Sequence, residues 1–154
     1  IEYGNPIWNT LLKKHTTPIE DIQRRFTKKI IGLNKLSYEE RLAITRLPSL
    51  EYRRLRGDMI ETFKIVHGFY DKVTVCSLFQ FNTFSNTRGH PFKLHKPTIS
   101  TSKFANFFTN RVINVWNNLP VNIVNAGTVN AFKNSLDRHW IAYMYKINLE
   151  LISC

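Results

Sequence analysis

Apolar residues recur at helical intervals along most of the chain. The clearest run has four members, three or four positions apart, which places them on one face of an α-helix: Ile19, Ile22, Phe26 and Ile30. Thr17, Pro18 and Glu20 have the composition of a helix N-terminus with a capping box, and Gly32 suits its C-terminus. We therefore predict a helix that begins at Pro18, ends near Gly32 and buries this apolar stripe.

Similar signals predict two helices in the next segment. Ser37 and Glu40 form a second capping-box pattern, and the short helix that it opens must end before Pro48. Ser49 opens the longest predicted helix, at about residues 50–67. Its expected buried stripe has five members: Tyr52, Leu55, Met59, Phe63 and Val66.

The two ends of the chain also have helical patterns. Residues 1–12 place several apolar side chains on one possible helical face, and residues 103–118 form a longer amphipathic segment that Pro120 ends. Thr128 caps a last helix, whose stripe continues to Tyr143. The sequence thus predicts a mainly α fold, with five to six helices in a bundle-like arrangement.

The pattern changes between residues 73 and 100, where β-branched and aromatic residues favour extended structure. Phe92 to Lys96 alternate between apolar and polar positions, and Pro97 ends the run. We predict a small irregular β-containing insert here, as a long loop with one or two short strands or a hairpin. The chain then divides into a helical segment 1–68, an insert 69–101 and a C-terminal helical segment 102–154.

The charge balance indicates a polyanionic partner. The 154 residues contain 22 Lys and Arg against 11 acids, which gives a net charge of +11 and an isoelectric point near 9.9. Such an excess is typical of nucleic-acid-binding domains, although it can also serve only to keep a protein soluble. A membrane partner is not expected, because the aromatic residues fit core positions and no apolar run approaches the ~20 residues of a spanning helix.

The cysteine usage and the first residues suggest a compartment and an origin. Cys76 and Cys154 are the two cysteines, and they form no metal-binding or redox pair in sequence, so we expect a reducing intracellular environment. The chain begins at Ile1 without Met and without the features of a signal peptide. We therefore expect it to be a piece of a longer protein.

Three basic groups are the candidate nucleic-acid-binding residues. The first lies off the apolar stripe of its helix, the second opens the longest helix, and the third is in the insert: Arg24, Arg25, Lys28 and Lys29; Arg53, Arg54 and Arg56; Arg88, Lys93 and Lys96. Clustered cations bind phosphates and release counterions. The alternative is a solvated surface with local ion pairs, such as Asp21 with Arg25 or Arg54 with Asp58. The insert group can equally be an ordinary turn.

Catalytic and metal-binding patterns are absent from the sequence. His90, His95 and Cys76 lack the paired ligand spacing of a zinc site, and acids are scarce compared with those that two-metal nucleotidyl transfer requires. The sequence also lacks a glycine-rich phosphate loop and the common hydrolase motifs. We assign no catalytic residue, no metal ligand and no cofactor to this chain.

A series of short motifs in a fixed order resembles one family over nearly the whole chain. The motifs are IEYGNPIW at 1–8, IE-x-x-QRRFTK at 19–28, LSYEERL at 36–42, LPSLE-x-RR-x-RGD at 47–58, FKIVHG at 63–68, TRGH at 87–90, FF-x-NRV at 107–112, WN-x-LP at 116–120 and FK-x-x-LD at 132–137. Together they are similar to the region beyond the polymerase core in jockey-like and chicken-repeat-type LINE (non-LTR) retrotransposon reverse transcriptases.

The resemblance implies a parent polyprotein with an endonuclease and an Mg-dependent, RNA-directed DNA polymerase, in a nuclear or cytoplasmic ribonucleoprotein. The paired palm aspartates of such a polymerase do not occur here, so we expect no enzymatic activity from this chain. The first helices would correspond to the thumb, which grips the template–primer duplex. The expected partners are RNA or an RNA–DNA duplex and the upstream polymerase core. The alternative is a structural module that packs on that core without contacting nucleic acid.

Overall fold

Helices make up most of the described residues in the computed structural model, as the apolar periodicity predicted. The structure describes residues 4–9, 13–71, 77–82, 90–98 and 101–145. Its helices, in chain order, are α1 (Asn5–Trp8), α2 (Lys13–Lys28), α3 (Tyr38–Thr45), α4 (Leu50–Val66), α5 (Ser102–Ala105), α6 (Phe108–Asn117), α7 (Val121–Val124), α8 (Val129–His139) and α9 (Ile141–Met144). The fold is therefore mainly α.

The longest helix, α4, is the centre of the packing. It contacts α1, α2, α6, α8 and α9. The Phe63 ring of α4 stacks on the Phe132 ring of α8, with 4.4 Å between the ring centroids, and Phe132 also lies against Trp116 of α6. The same hydrophobic core contains Phe79 and Leu94 from the predicted insert. One core therefore joins residues from all three predicted segments.

Three predicted helix starts are confirmed. Ser37 and Glu40 form a complete capping box at α3, in which the Glu40 N–H donates to Ser37 Oγ and the Ser37 N–H donates to Glu40 Oε2. Ser49 Oγ caps α4, and Thr128 Oγ1 caps α8. The buried stripe of α4 is also confirmed, with Leu55 partly buried against the core.

The predicted start of the second helix is wrong. α2 begins at Lys13 rather than Pro18, so the proline lies inside the helix. Glu20 does not cap its own helix, because its carboxylate instead accepts hydrogen bonds from the backbone N–H groups of Leu50 and Glu51, at 3.3 and 3.1 Å. The Tyr38 hydroxyl donates to the same carboxylate at 2.6 Å. Glu20 therefore caps the start of α4 instead of the start of its own helix.

The predicted buried stripe of this helix is wrong at Ile22 and Phe26, although Ile19 and Ile30 are half-buried, because α2 turns several polar side chains inward. Glu20 and Thr27 are buried, whereas Ile22 and Phe26 are 63% and 67% exposed. Gln23 Nε2 donates to the Pro48 carbonyl at 3.0 Å. The start of α4 and the residues before it present backbone groups that need hydrogen-bond partners. The polar side of α2 supplies them, so the apolar side faces outward.

The predicted C-terminal helices are present with different bounds. The amphipathic segment at 103–118 forms two helices, α5 and α6, and Phe107 lies between them. Val112 and Trp116 of α6 are buried, whereas Phe104 of α5 is exposed. The helix that Thr128 caps ends at His139, and α9 follows directly.

The predicted β-containing insert is not found in the described residues of that region, which form a single antiparallel bridge between Phe81 and Leu94. The Asn117 side chain binds the Leu94 backbone as a further strand would. Its Oδ1 accepts from the Leu94 N–H and its Nδ2 donates to the Leu94 carbonyl, both at 2.8 Å. The insert is thus held to α6 by a side chain that satisfies the same backbone groups as a neighbouring strand.

A buried ion pair joins α4 to α6 and α1. Arg111 Nε and Nη2 each donate to the Asp58 carboxylate at 2.9 Å, and both side chains are about 2% exposed. Asn5 and Asn9 donate to the same carboxylate at 2.8 and 3.2 Å. Burial raises the pKa of Asp58, and the hydrogen bonds and charge of Arg111 oppose that shift. The sequence had paired Asp58 with Arg54, but the partner is the more distant Arg111.

Replacing Arg111 with Gln is expected to destabilise the protein by about 3–5 kcal/mol, because it leaves the Asp58 carboxylate buried without its cation. The matched control is Arg138→Gln on the exposed side of α8, which should change stability by less than about 0.5 kcal/mol. Urea-induced unfolding followed by circular dichroism measures both. A loss below about 1 kcal/mol for the Arg111 variant would show that this pair does not hold the fold together.

Candidate nucleic-acid interface

The structure brings the first predicted basic group together at the C-terminal end of α2. Arg24, Arg25, Lys28 and Lys29 are all exposed, with Lys29 in the turn after the helix. Cations are favourable there because the last carbonyl groups of a helix carry partial negative charge. These four cations and the exposed Ile22 and Phe26 make up what we call the outer face of α2.

The outer face of α2 keeps its positive charge. Arg24 Nε lies 3.9 Å from Asp21 Oδ1, and both side chains are more than one-third exposed, so this pair is weak. The Arg24 guanidinium also lies over the Tyr38 ring, 4.9 Å from its centroid. Asp21 thus pairs with Arg24, and not with Arg25 as the sequence had suggested. Asp21 is the one acid on the exposed side of α2, since Glu20 is buried.

The members of the second predicted basic group, all on α4, lie on different sides of that helix. Arg53 and Arg56 lie on the solvent side of α4, whereas Arg54 is 3% exposed. Arg54 Nη1 is enclosed and has no hydrogen-bond partner among the described residues. A guanidinium enclosed in this way does not present itself to a phosphate backbone at the surface, so we leave Arg54 out of the candidate interface.

Arg53 and Arg56 line a cleft with two lysines that the sequence analysis missed. This α4–α8 cleft has a volume of about 590 Å³ and includes Lys64 from α4 and Lys133 from α8, with Glu61 as the one acid among the described residues that line it. The position of Lys64 could have been predicted from the sequence, because it lies eleven positions after Arg53 on the same helical face. The position of Lys133 could not, because only the packing of α8 against α4 brings it to the cleft.

Arg56 already holds a structural partner in the cleft. Its Nε and Nη2 donate to the two oxygens of Asp137 at 2.5 and 2.8 Å, and the Tyr52 hydroxyl donates to the same carboxylate. Burial alone would raise the pKa of Asp137, but the hydrogen bonds from Arg56 and Tyr52 outweigh it and hold that pKa below its usual value. Arg56 therefore joins α4 to α8, and this ion pair reduces the charge that it offers to a ligand.

The third predicted basic group lies in the insert and is described only in part. Arg88 lies outside the described residues, Lys93 is half-buried and Lys96 is exposed. His90 is buried beside Trp116, and its Nε2 lies 3.0 Å from the Trp116 carbonyl. Burial lowers the pKa of His90, so its ring is mostly neutral at pH 7. His90 therefore anchors the insert to α6 and adds no charge to a surface.

A second cavity, of about 530 Å³, has the wrong charge for a polyanion. Within the described part of the chain, three arginines and four acids line it: Arg24, Arg54 and Arg111; Glu20, Asp21, Glu51 and Asp58. Glu20 caps α4 and Asp58 pairs with Arg111, while the Tyr143 hydroxyl donates to Glu51. Glu20, Glu51 and Asp58 therefore each bind a group on another helix. Over the described residues, no group of three or more His, Cys, Asp or Glu side chains is placed to hold a metal ion.

Comparisons of the chain with protein-family models, curated proteins and solved structures give no match. Of the helices in the described part of the chain, none has both the length and the apolar character that crossing a membrane requires. The interface is therefore interpreted from its own geometry and charge.

Replacing Asp137 with Asn is expected to reduce stability by about 1–2 kcal/mol at pH 7, because Arg56 and Tyr52 lose a charged acceptor. The folded pKa of Asp137 lies below its unfolded value of about 3.9, so its stabilisation is present above that pH and is lost as pH falls through the folded pKa. The difference from the wild type should therefore shrink below about pH 4. Urea titrations at several pH values measure it.

The control for this pH dependence is Asp21→Asn, which removes the weak exposed pair with Arg24 and should have little effect at any pH. A stability difference for Asp137→Asn that stays constant from pH 7 to pH 3.5 would contradict the proposed role of the Asp137 charge.

Proposed function

We propose that this chain binds the sugar–phosphate backbone of nucleic acid and catalyses no reaction itself. The observation that carries the proposal is the outer face of α2, where four exposed cations are accompanied by one weakly paired acid. By the motif resemblance, the chain would be the C-terminal part of a retrotransposon RNA-directed DNA polymerase. Its ligand would then be template RNA or an RNA–DNA duplex during target-primed reverse transcription.

The kind of contact follows from the residues of this face. Long, exposed Lys and Arg side chains neutralise phosphates and release counterions, which gives affinity with little sequence preference. Arg24 and Arg25 can each donate two parallel hydrogen bonds to one phosphate, whereas Lys28 and Lys29 act as point charges. We therefore expect binding that is strong at low salt and falls steeply as salt is added.

The α4–α8 cleft is a second place where a backbone can bind. Arg53 and Lys64 are eleven residues apart on α4, which corresponds to about 16 Å along the helix axis. One strand of a duplex carries one charge per about 3.4 Å, so this distance covers several phosphates. Lys133 adds a cation from the opposite side of the cleft. We assign the cleft a supporting role, because Arg56 and Lys64 are already paired with Asp137 and Glu61.

The proposal predicts the effect of changing Arg24, Arg25, Lys28 and Lys29 to Gln. Binding to a labelled RNA or RNA–DNA duplex should weaken, and the slope of log affinity against log salt should become less steep by about 3 if all four contact phosphates. Fluorescence anisotropy at several salt concentrations measures both quantities. An unchanged slope would reject this face as the interface.

Matched double variants separate a local effect from a loss of net charge. Lys28→Gln with Lys29→Gln removes two charges from the outer face of α2, and Arg46→Gln with Arg138→Gln removes two exposed charges elsewhere. The first pair should flatten the salt slope by about 1.5, and the second should leave it nearly unchanged. Equal effects would mean that net charge alone governs binding.

A second candidate function is a structural module that packs on a polymerase core. Three exposed apolar side chains favour it: Ile22, Phe26 and the almost fully exposed Ile31. Exposed apolar residues in one region are typical of a surface that another protein covers. If the four-cation variant binds nucleic acid as tightly as the wild type, with the same salt slope, this module becomes the better proposal.

A further inference from the structure

We propose that the outer face of α2 binds an unpaired strand, with Phe26 stacking on a base while the adjacent cations hold the phosphates. This inference rests on the proposed function and names the class of nucleic acid that the face selects. It starts from the unusual orientation of α2, whose apolar residues face outward.

The exposure of Phe26 does not result from a loosely packed helix. α2 is fixed from its polar side, where Glu20 caps α4, Gln23 donates to Pro48 and Thr27 accepts a hydrogen bond from Arg41 Nε at 3.2 Å. These contacts determine the rotation of the helix about its axis. Phe26 is therefore held outward by hydrogen bonds on the opposite side of α2, and its ring is available to a ligand.

On the helical surface Phe26 is adjacent to the aliphatic Ile22, to Gln23 and to the cation Lys29, which lies in the turn after α2. Residues three or four positions apart are adjacent on a helical surface. By this spacing Ile22 is next to both Arg25 and Phe26, and Lys29 is also next to both. The ring therefore has positive charge beside it, and Ile22 extends the apolar surface that it offers.

An unpaired strand matches this arrangement better than a duplex does. A duplex presents phosphates outward and hides the faces of its bases, whereas a single strand offers both phosphates and base faces to one surface. Stacking on an aromatic ring needs no particular base, because every base has a π-face. The outer face of α2 supplies a ring for a base and cations for the flanking phosphates.

Charge favours nucleic acid over the two other ligands that such a face can have. A membrane surface requires a wider apolar face than Ile22 and Phe26 provide. A protein partner would need an apolar surface that covers Ile22 and Phe26, and acids placed opposite the four cations. Four cations against two apolar side chains is a composition closer to that of a strand-binding surface than to that of a protein-interface core, which is poor in lysine.

The test compares Phe26→Leu with the wild type on three labelled ligands: oligothymidylate, an abasic strand of equal length and a DNA duplex. Leu keeps an apolar side chain and removes the aromatic face. We expect the wild type to bind oligothymidylate more tightly than the abasic strand. The variant should lose about 5-fold to 100-fold of its affinity for oligothymidylate and little of its affinity for the other two.

Phe69→Leu is the matched control, because Phe69 is 57% exposed and is followed by Tyr70, which donates to Glu61, and by Asp71. It should leave binding to all three ligands unchanged. Thermal unfolding of both variants checks that each remains folded, and an exposed position such as Phe26 should tolerate Leu without a large change in Tm.

The possible results separate this inference from the function on which it rests. If Lys28→Gln with Lys29→Gln weakens binding to every ligand while Phe26→Leu changes none, the face binds only backbone and the stacking proposal is wrong. The same result is expected if Phe26 belongs to a protein interface. If neither variant changes binding, the proposed function fails as well. Tighter binding to the duplex than to oligothymidylate would also overturn the preference for an unpaired strand.

Discussion

Asp58 carries its carboxylate in the interior of the protein, where an unpaired charge costs several kcal/mol. The bidentate hydrogen bonds from Arg111 and the amides of Asn5 and Asn9 compensate for that cost. Because these partners come from the α1 segment and from α6, while Asp58 belongs to α4, the charge is satisfied only when all three helices are in place. The ion pair therefore makes the α1 segment part of the fold, and α4 becomes the element against which the other helices are positioned.

The need to pair buried polar groups also explains the orientation of α2. The first backbone N–H groups of α4 need acceptors, and Glu20 supplies its carboxylate to two of them. Arg41, buried in α3, completes the polar contact through Thr27 and the Arg24 carbonyl. Satisfying these groups fixes the polar side of α2 inward, so Ile22 and Phe26 face outward. The surface proposed to bind nucleic acid is thus a consequence of how α4 is capped.

Local signals in the sequence predicted the structure best. The caps at Ser37, Ser49 and Thr128 depend on hydrogen bonds between residues three positions apart, so neighbouring residues alone determine them. The buried stripe of α4 was also predictable, because a helix packed on several sides must bury its apolar face. The orientation of α2 was not predictable, because periodicity distinguishes the two faces of a helix but does not show which face packs against the rest of the protein. The hydrogen bonds between the Asn117 side chain and Leu94 were not predictable either, because they join residues 23 positions apart.

The net charge of the chain overstates the positive charge that a ligand can reach. Arg41, Arg54 and Arg111 are buried, and Arg56 is held by Asp137, so these four arginines serve the fold. Arg41 and Arg111 fix the positions of helices through several hydrogen bonds each, and a phosphate at the surface does not reach a buried guanidinium group. The cations at the end of α2 differ because the last turn of a helix is open to solvent on its outer side. The distribution of the arginines and lysines, rather than their number, therefore locates the candidate interface on α2.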